Sequence, residues 1–449
     1  MSKYKRYEKY KDSGIEWIGE IPEHWEINKL KRLSNIITGN TPSKSEEENY
    51  DDEGIPWVKP DNIQDDGTVS ETKERLSVIG LQKARLIPKN SAIVCCIGTV
   101  GKVGFTQQDC TTNQQINSII FDRISIWNSK YGFYCLYSSK NEHEKYSNKV
   151  VVSILNKTQQ GNIIMPVPSL DEQKTIASFL DQKTAVIDDL IADKEKLIEL
   201  LQEKRQAIIT EAVTKGLNPN VKMKDSGIEW IGEIPEHWSI TKMKYLLSPK
   251  KYSIKAGPFG SQLKNDDMVS GDVKVYNQKT VLDNDFKSGD YYIENYKYEE
   301  LRAFEVFSGD LLVTTRGTIG KTAIVPKDAE KGILHPCLIK ITLNPDKVLN
   351  EYINVVFNNT KIVTNQIMLE SNATTIDVIY TDTLKNLVLP IPPLEEQKSI
   401  IDFVDAKIGE IDGLISSINN QIQKLKEYRQ SLIFEAVTGK IDVRDYVVD

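Results

Sequence analysis

The chain has 449 residues, of which 39% are hydrophobic and 27% are charged, and its formal net charge is −7. This length suggests two or three domains, and the composition is that of a folded protein, not a disordered one. No apolar run reaches the roughly 18 residues of a membrane span, and the N-terminal residues lack the apolar core of a signal peptide. With only four histidines and no H-E-x-x-H motif, nothing in the sequence indicates a metal site.

The cysteines form neither C-x-x-C pairs nor a balanced disulfide framework, and they are Cys95, Cys96, Cys110, Cys135 and Cys337. Free thiols are typical of a reducing compartment. We therefore expect a cytoplasmic protein without disulfides.

The first predicted element is a segment that the chain carries twice. The fifteen letters KDSGIEWIGEIPEHW occupy residues 11–25 and return unchanged at residues 224–238. Further on, MPVPSLDEQKTIASFLD (165–181) is echoed by LPIPPLEEQKSIIDFVD (389–405), and the glycine-containing VCCIGTVGK (94–102) is echoed by VTTRGTIGK (313–321). The spacing of the echoes grows from 213 to 224 residues, so the chain is a tandem duplication with similar ends and divergent middles.

Each divergent middle is predicted to be rich in short strands, because runs such as SAIVCCIG and GDLLVTTRG are separated by Gly, Asn and Asp turn signals. A proline-containing strand then leads into DEQK in the first half and EEQK in the second. Acidic residues after a proline are typical of a helix N-terminus.

A long helix is predicted after each of these acidic sequences. Apolar residues recur there in steps of three and four, which indicates a heptad seam held for more than four heptads. Each helix should run about 40–45 residues, or about 60–68 Å, and end near Gly216 or Gly439. The two helices could pair with each other, either parallel or antiparallel. The predicted seam consists of Ile176, Leu180, Ile187, Leu190, Leu197, Leu201 and Ile208, followed in the second copy by Ile400, Val404, Ile411, Leu414, Ile418, Leu425 and Leu432.

The second middle opens with a basic run, because residues 241–265 contain six lysines and no acidic residue. Such a run fits either a solvated face or a contact with a polyanion. The lysines are Lys242, Lys244, Lys250, Lys251, Lys255 and Lys264.

Both middles contain candidates for nucleic-acid recognition at their turns. Amide and guanidinium groups can read base edges, while lysine and threonine beside glycine suit phosphates. Ordinary turn chemistry would explain any one of these residues alone, but as a set they favour sequence readout. The candidates are Lys59, Asn62, Thr99, Lys102, Asn113 and Gln114 in the first half, and Ser261, Gln262, Lys264, Asn277, Gln278, Lys279, Arg316, Thr318 and Lys321 in the second.

Catalytic motifs are missing from the sequence: there is no phosphate-binding G-x-x-x-x-G-K-[ST] and no G-x-S-x-G nucleophile turn. One loose match to a magnesium nuclease exists, in which Asp61 and Glu71 would hold the metal and Lys73 would steady a phosphate. This spacing is permissive and equally fits an acidic loop, and the second half has no counterpart. We predict no catalytic and no metal-binding residues.

The tandem halves, the P-x-P-x-L-x-E-Q-K sequence before each long helix and SGIEWIGEIPEHW before each middle together resemble the specificity subunit of type I restriction–modification systems. The resemblance covers essentially the whole chain, and the combination of motifs is specific. It implies an α+β fold with a pseudo-two-fold internal repeat. Two tandem α/β target recognition domains would be separated by two long helices that form an antiparallel coiled coil.

The expected boundaries are a first recognition domain at 1–168, a central helix at 169–216, a second recognition domain at 217–392, a C-terminal helix at 393–440 and a tail at 441–449. The resemblance also implies double-stranded DNA, two methyltransferase subunits and restriction/translocase subunits as partners, and no membrane. S-adenosylmethionine, ATP and Mg²⁺ would belong to those partner subunits, so no cofactor is expected in this chain. Each domain would read one half-site of an asymmetric bipartite target.

Two alternatives to a non-catalytic DNA-specificity module remain open from the residues. One is an enzyme, either a nuclease with Asp61, Glu71 and Lys73 or a self-sufficient methyltransferase. The other is a scaffold that binds only protein through its helices. The repeated segment precedes unlike middles, so its tryptophans are expected to pack as framework, and Glu23 and His24 are poor candidates for catalysis.

Overall fold

The computed structural model describes residues 4–149, 152–371 and 378–446. It divides into two compact units, of which unit 1 comprises Met1–Glu195 with Ile418–Asp449 and unit 2 comprises Lys196–Ser417. Residues 447–449 of the predicted tail lie outside the described residues. No helix in the described ranges is both long enough and apolar enough to cross a membrane.

Unit 1 is built from short strands joined by turns. The strands are β1 (Tyr10–Asp12), β2 (Glu20–Pro22), β3 (Glu26–Lys29), β4 (Asn35–Thr38), β5 (Tyr50–Val58), β6 (Arg75–Leu76), β7 (Ala92–Cys95), β8 (Val103–Phe105), β9 (Thr111–Thr112), β10 (Ile116–Ile120), β11 (Asn148–Lys149), β12 (Ser153–Ile154) and β13 (Ile164–Val167). The helices of the first half are α1 (Leu30–Leu33), α2 (Val78–Gln82), α3 (Ser129–Ser138), α4 (Lys140–Lys145), α5 (Lys157–Gln160) and α6 (Leu170–Lys215), with 3-10 turns at Glu47–Asn49 and Pro60–Asn62.

Unit 2 repeats this plan. Its strands are β14 (Met223–Asp225), β15 (Glu233–Pro235), β16 (Ser239–Lys242), β17 (Ile254–Ala256), β18 (Val273–Tyr276), β19 (Tyr292–Ile293), β20 (Glu305–Val306), β21 (Leu311–Thr314), β22 (Thr322–Ile324), β23 (Gly332–Leu334), β24 (Leu338–Ile341) and β25 (Val388–Ile391). The helices of the second half are α7 (Gln278–Leu282), α8 (Asn295–Leu301), α9 (Asn350–Asn359), α10 (Ile362–Ser371), α11 (Thr381–Asn386) and α12 (Leu394–Val437), with 3-10 turns at Met243–Tyr245, Asn265–Asp267 and Arg302–Phe304.

The main sheets of the two units correspond, although the second sheet has three strands in unit 1 (β6-β5-β9) and four in unit 2 (β19-β18-β23-β20). An antiparallel four-stranded sheet has the order β4-β10-β7-β8 in unit 1 and β17-β24-β21-β22 in unit 2. A second sheet contains a parallel pair in each unit, β5 with β9 and β18 with β23. The strand before each long helix pairs with the strand after the repeated segment, β13 with β3 and β25 with β16. The duplication seen in the sequence is therefore a duplication of the fold.

The repeated segment binds the start of a long helix in each unit. In unit 1 the carboxylate of Glu172, in the first turn of α6, accepts hydrogen bonds from Trp25 Nε1 (3.0 Å) and the Tyr7 hydroxyl (2.7 Å), and His24 Nε2 lies 3.1 Å from its second oxygen. A carboxylate in this position also interacts favourably with the helix dipole. Trp25 is completely buried, so the segment is framework, as its position before unlike middles predicts.

Unit 2 makes the same contacts with the second copy. Trp238 Nε1 donates to Glu396 Oε2 (2.8 Å), and His237 Nε2 lies 2.5 Å from Glu396 Oε1. Trp238 is buried, whereas the other repeated tryptophan, Trp230, is 38% exposed. The prediction that Trp17, Trp25, Trp230 and Trp238 pack as framework therefore holds fully for Trp25 and Trp238. Trp17 is half-buried, and Trp230 leaves part of its ring in solvent.

The C-terminus of a long helix meets the same repeated segment. Gly216 and Gly439 adopt positive φ angles of 73° and 71° directly after the helices, the conformation that ends a helix and favours glycine. A Cβ at Gly439 would come within 2.4 Å of Pro22 Cδ, and one at Gly216 within 3.2 Å of the Trp238 ring. Each repeated segment therefore lies where one long helix begins and the other ends.

The two long helices are present, with 46 residues in α6 and 44 in α12 against the predicted length of about 40–45. The predicted seam is wrong at Leu190, Leu197 and Leu414, whose side chains are exposed, while the neighbouring Ile191 is buried and Ile415 is half-buried. The inward positions follow a spacing of about 3.7 residues, which is close to an 11-residue repeat and drifts away from a strict heptad. Those positions are 176, 180, 183, 187, 191, 194, 198, 201, 205 and 209 in α6, and 400, 404, 408, 411, 415, 418, 422, 425, 429 and 433 in α12.

Candidate nucleic-acid interface

In unit 1, three polar turns meet at one end of the four-stranded sheet. Strands β7 and β10 are antiparallel with Cys95 opposite Ile116, so the turn that leaves β7 and the turn that enters β10 lie at the same end. Asn117 pairs with Thr38, which brings the loop after β4 to this end too. The three segments, residues 38–43, 96–102 and 113–115, form the first candidate interface.

The side-chain amide of Gln114 faces solvent at this interface, whereas that of Asn113 is buried. The Gln114 side-chain oxygen accepts a hydrogen bond from the hydroxyl of Thr41. Asn113 is buried, and its amide is used within the turn, where Oδ1 accepts from the Gln115 backbone (3.1 Å) and Nδ2 donates to the Gln115 side chain (2.9 Å). Asn113 therefore shapes the turn that presents Gln114.

Lys59 and Asn62 reach the same region through the second sheet, since Val58 pairs with Thr112. The Lys59 ammonium forms an ion pair with Glu74 and lies 4.6 Å from the centre of the Trp57 ring. Lys44 also binds Glu74, and Lys44 and then Lys59 lower the pKa of this carboxyl group. Because the pair is partly exposed, a phosphate could replace Glu74 as the partner of Lys59 at little cost.

The amide of Asn62 serves its own loop. Its Oδ1 accepts from the Lys59 backbone (2.9 Å), and its Nδ2 donates to the Glu71 carbonyl (3.1 Å). Asn62 is therefore a capping residue in this structure, and a base could bind it only after one of these bonds breaks.

Thr99 and Lys102 lie in the turn between β7 and β8. The turn is tied to the Gln114 region by a hydrogen bond from the Cys96 backbone to the Gln115 carbonyl (2.7 Å). Thr99 is exposed, while the Lys102 ammonium lies 3.5 Å from the Asp65 carboxylate. The structure thus brings Thr99 to the interface and pairs Lys102 with a neighbouring loop.

Two further polar side chains of this region, those of Arg85 and Asn40, were missed in the sequence. The Arg85 guanidinium donates to the Thr38 carbonyl, and Asn40 Nδ2 donates to the Lys83 carbonyl (2.5 Å). They fall outside the repeated and amide-rich segments on which the prediction rests. A usable signal is Gly39, because a Cβ there would come within 2.2 Å of the Thr112 carbonyl oxygen, and a glycine is the residue that allows two backbones to approach so closely.

Unit 2 has an equivalent interface. Thr315 donates from its backbone to the Cys337 carbonyl (3.0 Å), and Gly257 donates to the Leu338 carbonyl (2.8 Å). The loop after β17, the turn after β21 and the turn before β24 therefore converge, as their counterparts do in unit 1. These three segments, residues 257–264, 315–321 and 335–337, form the second candidate interface.

Asn277, Gln278 and Lys279 join this interface from the second sheet. The His335 backbone donates to the Tyr276 carbonyl (2.9 Å), which places the end of β18 beside the turn before β24. Asn277 caps α7 through a hydrogen bond from the Thr280 backbone (3.2 Å), whereas Lys279 is exposed. A Cβ at Gly317 would lie 3.5 Å from Gln278 Nε2, so Gln278 borders the turn after β21.

Ser261, Gln262 and Lys264 belong to the loop after β17, and all three side chains are exposed. The Gln262 side-chain oxygen accepts from the Phe259 backbone (3.0 Å), and the Lys264 backbone donates to Asp267 (2.8 Å). The hydroxyl of Ser261 and the ammonium of Lys264 face solvent at the interface.

Arg316, Thr318 and Lys321 lie on the turn between β21 and β22, and all three are exposed. The Thr314 hydroxyl donates to the Thr318 carbonyl (2.6 Å) and fixes the turn. Lys321 Nζ donates to the Asn358 carbonyl (3.2 Å), so its charge is directed towards α9. Arg316 is the exposed guanidinium of the second interface.

His335 and Cys337 were also missed, and their geometry suggests a nucleophilic pair because His335 Nδ1 lies 2.9 Å from the Cys337 sulfur. Burial lowers the pKa of His335 and raises the pKa of the Cys337 thiol. Both shifts favour the neutral forms, whereas nucleophilic chemistry requires the thiolate.

The magnesium-nuclease alternative gains no support from the geometry. Asp61, Glu71 and Lys73 are exposed. Across the described ranges of the chain, no group of three or more His, Cys, Asp or Glu residues is placed to hold a metal ion.

The fold defines a class of proteins in which two similar α/β domains alternate with two long helices. The sequence model of the type I restriction modification DNA specificity domain matches residues 22–200 and 258–424. The chain therefore belongs to the type I restriction–modification specificity family. As a specificity subunit, it is not a catalytic subunit of such a system.

Relatives align with nearly the whole chain. The type I restriction enzyme MjaVIII specificity subunit of Methanocaldococcus jannaschii is 25% identical over 95% of this chain and 95% of its own length. The EcoKI specificity subunit of Escherichia coli K12 is 24% identical over 94% of this chain and 90% of its own. A solved structure described as the structural basis of complex assembly and conformational transition of the type I R-M system superposes with a TM-score of 0.65 at 13% identity, over 93% of this chain and 98% of that one, which shows a shared fold.

Proposed function

We propose that this chain reads an asymmetric bipartite DNA site, with one half-site bound by each unit. The observation that carries the proposal is that three polar turns converge at the same end of the equivalent sheet in both units, but with different side chains. Amides, guanidinium groups and lysines on converging turns suit base edges and phosphates. Different side chains on the same framework would read different sequences.

We propose different roles for the residues of the two interfaces. Gln114, Gln278 and Arg316 have amide or guanidinium groups close to the interfaces, and they are our candidates for base contacts. Lysines of the same surfaces would bind phosphates. The proposed phosphate-binding residues are Lys59, Lys102, Lys264, Lys279 and Lys321, assisted by the hydroxyls of Thr99, Ser261 and Thr318.

We further propose that α6 and α12 form an antiparallel coiled coil that sets the length of the unread DNA between the half-sites. Support comes from contacts inside each unit. In unit 1, Arg429 Nε donates to Asp188 (2.9 Å) and Lys194 Nζ donates to Gln421 (2.6 Å), so residue numbers rise on one helix as they fall on the other. In unit 2 the equivalent pair is Arg205 with Asp412, at 3.7 Å.

The helices would also dock two methyltransferase subunits and, through them, restriction/translocase subunits. Exposed aliphatic side chains on the two helices support this role, because apolar groups left in solvent often mark protein interfaces. They are Val186, Leu190, Leu197 and Leu200 on α6 and Leu414 on α12. S-adenosylmethionine, ATP and Mg²⁺ would be bound by those partners. In this scheme the recognition domains span 1–168 and 217–392, the helices span 169–216 and 393–440, and the tail follows at 441–449. We place this assembly in the cytoplasm.

The test is a pair of matched substitutions, one in each unit, in cells whose methylated adenines are mapped across the genome. Gln114→Ala should relax the sequence requirement in one half-site, and Arg316→Ala should relax it in the other. A lost bidentate base contact costs about 1–3 kcal/mol of discrimination. If each variant relaxed both half-sites equally, modular readout would be wrong. If deleting the gene left the methylation pattern unchanged, the chain would not direct methylation.

A further inference from the structure

The loop after β17 carries an aromatic ring that the fold leaves in solvent. Phe259 is 80% exposed, whereas Pro258 before it and Leu263 after it are buried. A large hydrophobic side chain held outward among polar neighbours lacks the apolar contacts that normally stabilise it. Such a side chain requires an explanation at a surface proposed to bind DNA.

The loop is held in shape by its own hydrogen bonds. The Phe259 carbonyl accepts from the backbones of Gln262 (2.8 Å) and Leu263 (3.2 Å), and the Phe259 backbone donates to the Gln262 side chain (3.0 Å). A Cβ at Gly257 would come within 2.2 Å of the His335 carbonyl oxygen, so the base of the loop lies directly against the turn before β24. The ring therefore projects from a pre-ordered support, and ordering it on binding costs little entropy.

Unit 1 has a polar residue at the position that is equivalent to Phe259. Gly39 and Gly257 follow equivalent strands. A Cβ on either glycine would clash with the backbone just before the neighbouring strand of the sheet, which is β10 in unit 1 and β24 in unit 2. Two residues further on, unit 1 has Thr41 where unit 2 has Phe259. Thr41 donates its hydroxyl to Gln114, while the Phe259 side chain is left exposed.

We infer that Phe259 is an apolar wedge that inserts between base pairs of the half-site bound by unit 2. This inference rests on the proposed function. The faces of stacked bases are the large apolar surfaces that duplex DNA offers, and phenylalanine side chains that part a base step are a known means of bending DNA. Pyrimidine–purine steps unstack most easily, so the half-site of unit 2 should contain a TA or CA/TG step, and the half-site of unit 1 has no such requirement.

The experiment uses the full chain, purified with the modification subunits that it binds, and duplex DNA selected by this complex from a random library. The methylated adenines are left unchanged, because a methyltransferase flips its target base out of the stack. The other adenines of each half-site are replaced one at a time by 2-aminopurine, whose fluorescence rises when it is unstacked. The wild type should raise the fluorescence at one step in one half-site only. Phe259→Ala should abolish this rise and weaken binding by about 10- to 100-fold, the effect expected for the loss of one base–aromatic contact.

Two control variants separate a wedge from general damage. Phe307→Ala removes another exposed phenylalanine, which is 55% exposed and lies outside the interface segments, and it should leave binding and fluorescence unchanged. Phe259→Leu keeps an apolar side chain and should retain part of both signals. The wedge proposal is wrong if the wild type selects a bipartite sequence but Phe259→Ala binds it equally well. It is also wrong if no 2-aminopurine becomes brighter. In both cases the proposed function stands. Failure of the wild type to select any sequence would instead overturn the proposed function.

Discussion

Glu172 and Glu396 are equivalent residues in unequal surroundings. The Glu172 side chain is 5% exposed and has three partners, whereas the Glu396 side chain is 41% exposed and has two. Removing an acceptor from a buried set of donors costs more than removing it from an exposed set, because water can replace the lost partner only at the surface. The first copy of the repeated segment should therefore depend more strongly on its glutamate.

We predict that Glu172→Gln lowers the free energy of opening at the start of α6 by about 1–3 kcal/mol, since the new amide nitrogen faces other donors. The matched variant Glu396→Gln should lower the corresponding value at the start of α12 by a clearly smaller amount. Hydrogen exchange measured by mass spectrometry reports the two helix starts separately. Equal losses at the two positions would show that burial of the carboxylate does not determine its contribution.

At single positions, the sequence indicated the correct turns but not the direction of each side chain. Asn113 and Gln114 are adjacent amides, yet the first is buried within its turn and the second is exposed. The difference depends on backbone contacts with residues far away in the chain, such as the hydrogen bond from Asn113 to the Val58 carbonyl (3.1 Å). Phe259 was missed because an isolated phenylalanine in a sequence is normally taken for a core residue.

Among the elements, the long helices were the most predictable, since a repeated pattern over more than 40 residues and a proline–acid start are strong local signals. Their buried face was less predictable, because steps of three and four residues fit both a heptad and an 11-residue repeat until a neighbouring surface selects one. The pairing of β5 with β9 and of β18 with β23 could not be predicted, because parallel pairing joins distant segments without a turn that marks it.

The shifted seam gives a test on α6, where Leu190 and Ile191 are adjacent but point in different directions. Leu190 is exposed and Ile191 is 8% exposed. Leu190→Ser should change the free energy of unfolding by no more than about 0.5 kcal/mol and should weaken binding of the modification subunits. Ile191→Ser should destabilise the chain by about 2 kcal/mol or more, because it removes a buried apolar side chain and buries a hydroxyl group.

Urea unfolding of the isolated chain and co-purification with the modification subunits measure these two effects independently. Should Leu190→Ser destabilise the chain as much as Ile191→Ser, the exposed leucine would belong to the seam after all. If neither variant affected co-purification, the docking face would have to lie elsewhere on the chain.

In the whole molecule, the duplicated segments and the divergent turns differ in their structural roles: the first form the framework contacts and the second form the candidate interfaces. The residues that join each helix start to the repeated segment are the same in both halves, while the interface residues Thr41 and Gln114 have no chemical equivalents in unit 2. A framework that tolerates different turns can acquire a new half-site without changing the helices. The target should therefore change one half at a time.

The proposed role of the helices in setting the distance between the half-sites leads to a prediction. An insertion must preserve both the period of the buried helix face and the period of the DNA. Inserting twenty-two residues into α6 after Leu201, and another twenty-two into α12 after Ile415, keeps the buried face in register because it adds two 11-residue repeats to each helix. It also adds about 33 Å, which is close to one turn of DNA, about 10 base pairs. The selected target should therefore keep both half-sites and gain about 10 base pairs of spacer.

Matched insertions of eleven residues preserve the helix register but add about half a turn of DNA, which turns the second half-site to the opposite face of the duplex. These insertions should leave the chain folded and abolish binding to any bipartite site. Selection from a random DNA library, together with circular dichroism as the control for folding, measures both outcomes. If the spacer stayed the same after the twenty-two-residue insertion, the helices would not set the distance between the half-sites, because a pair of helices lengthened by about 33 Å could not hold the recognition domains at their original separation.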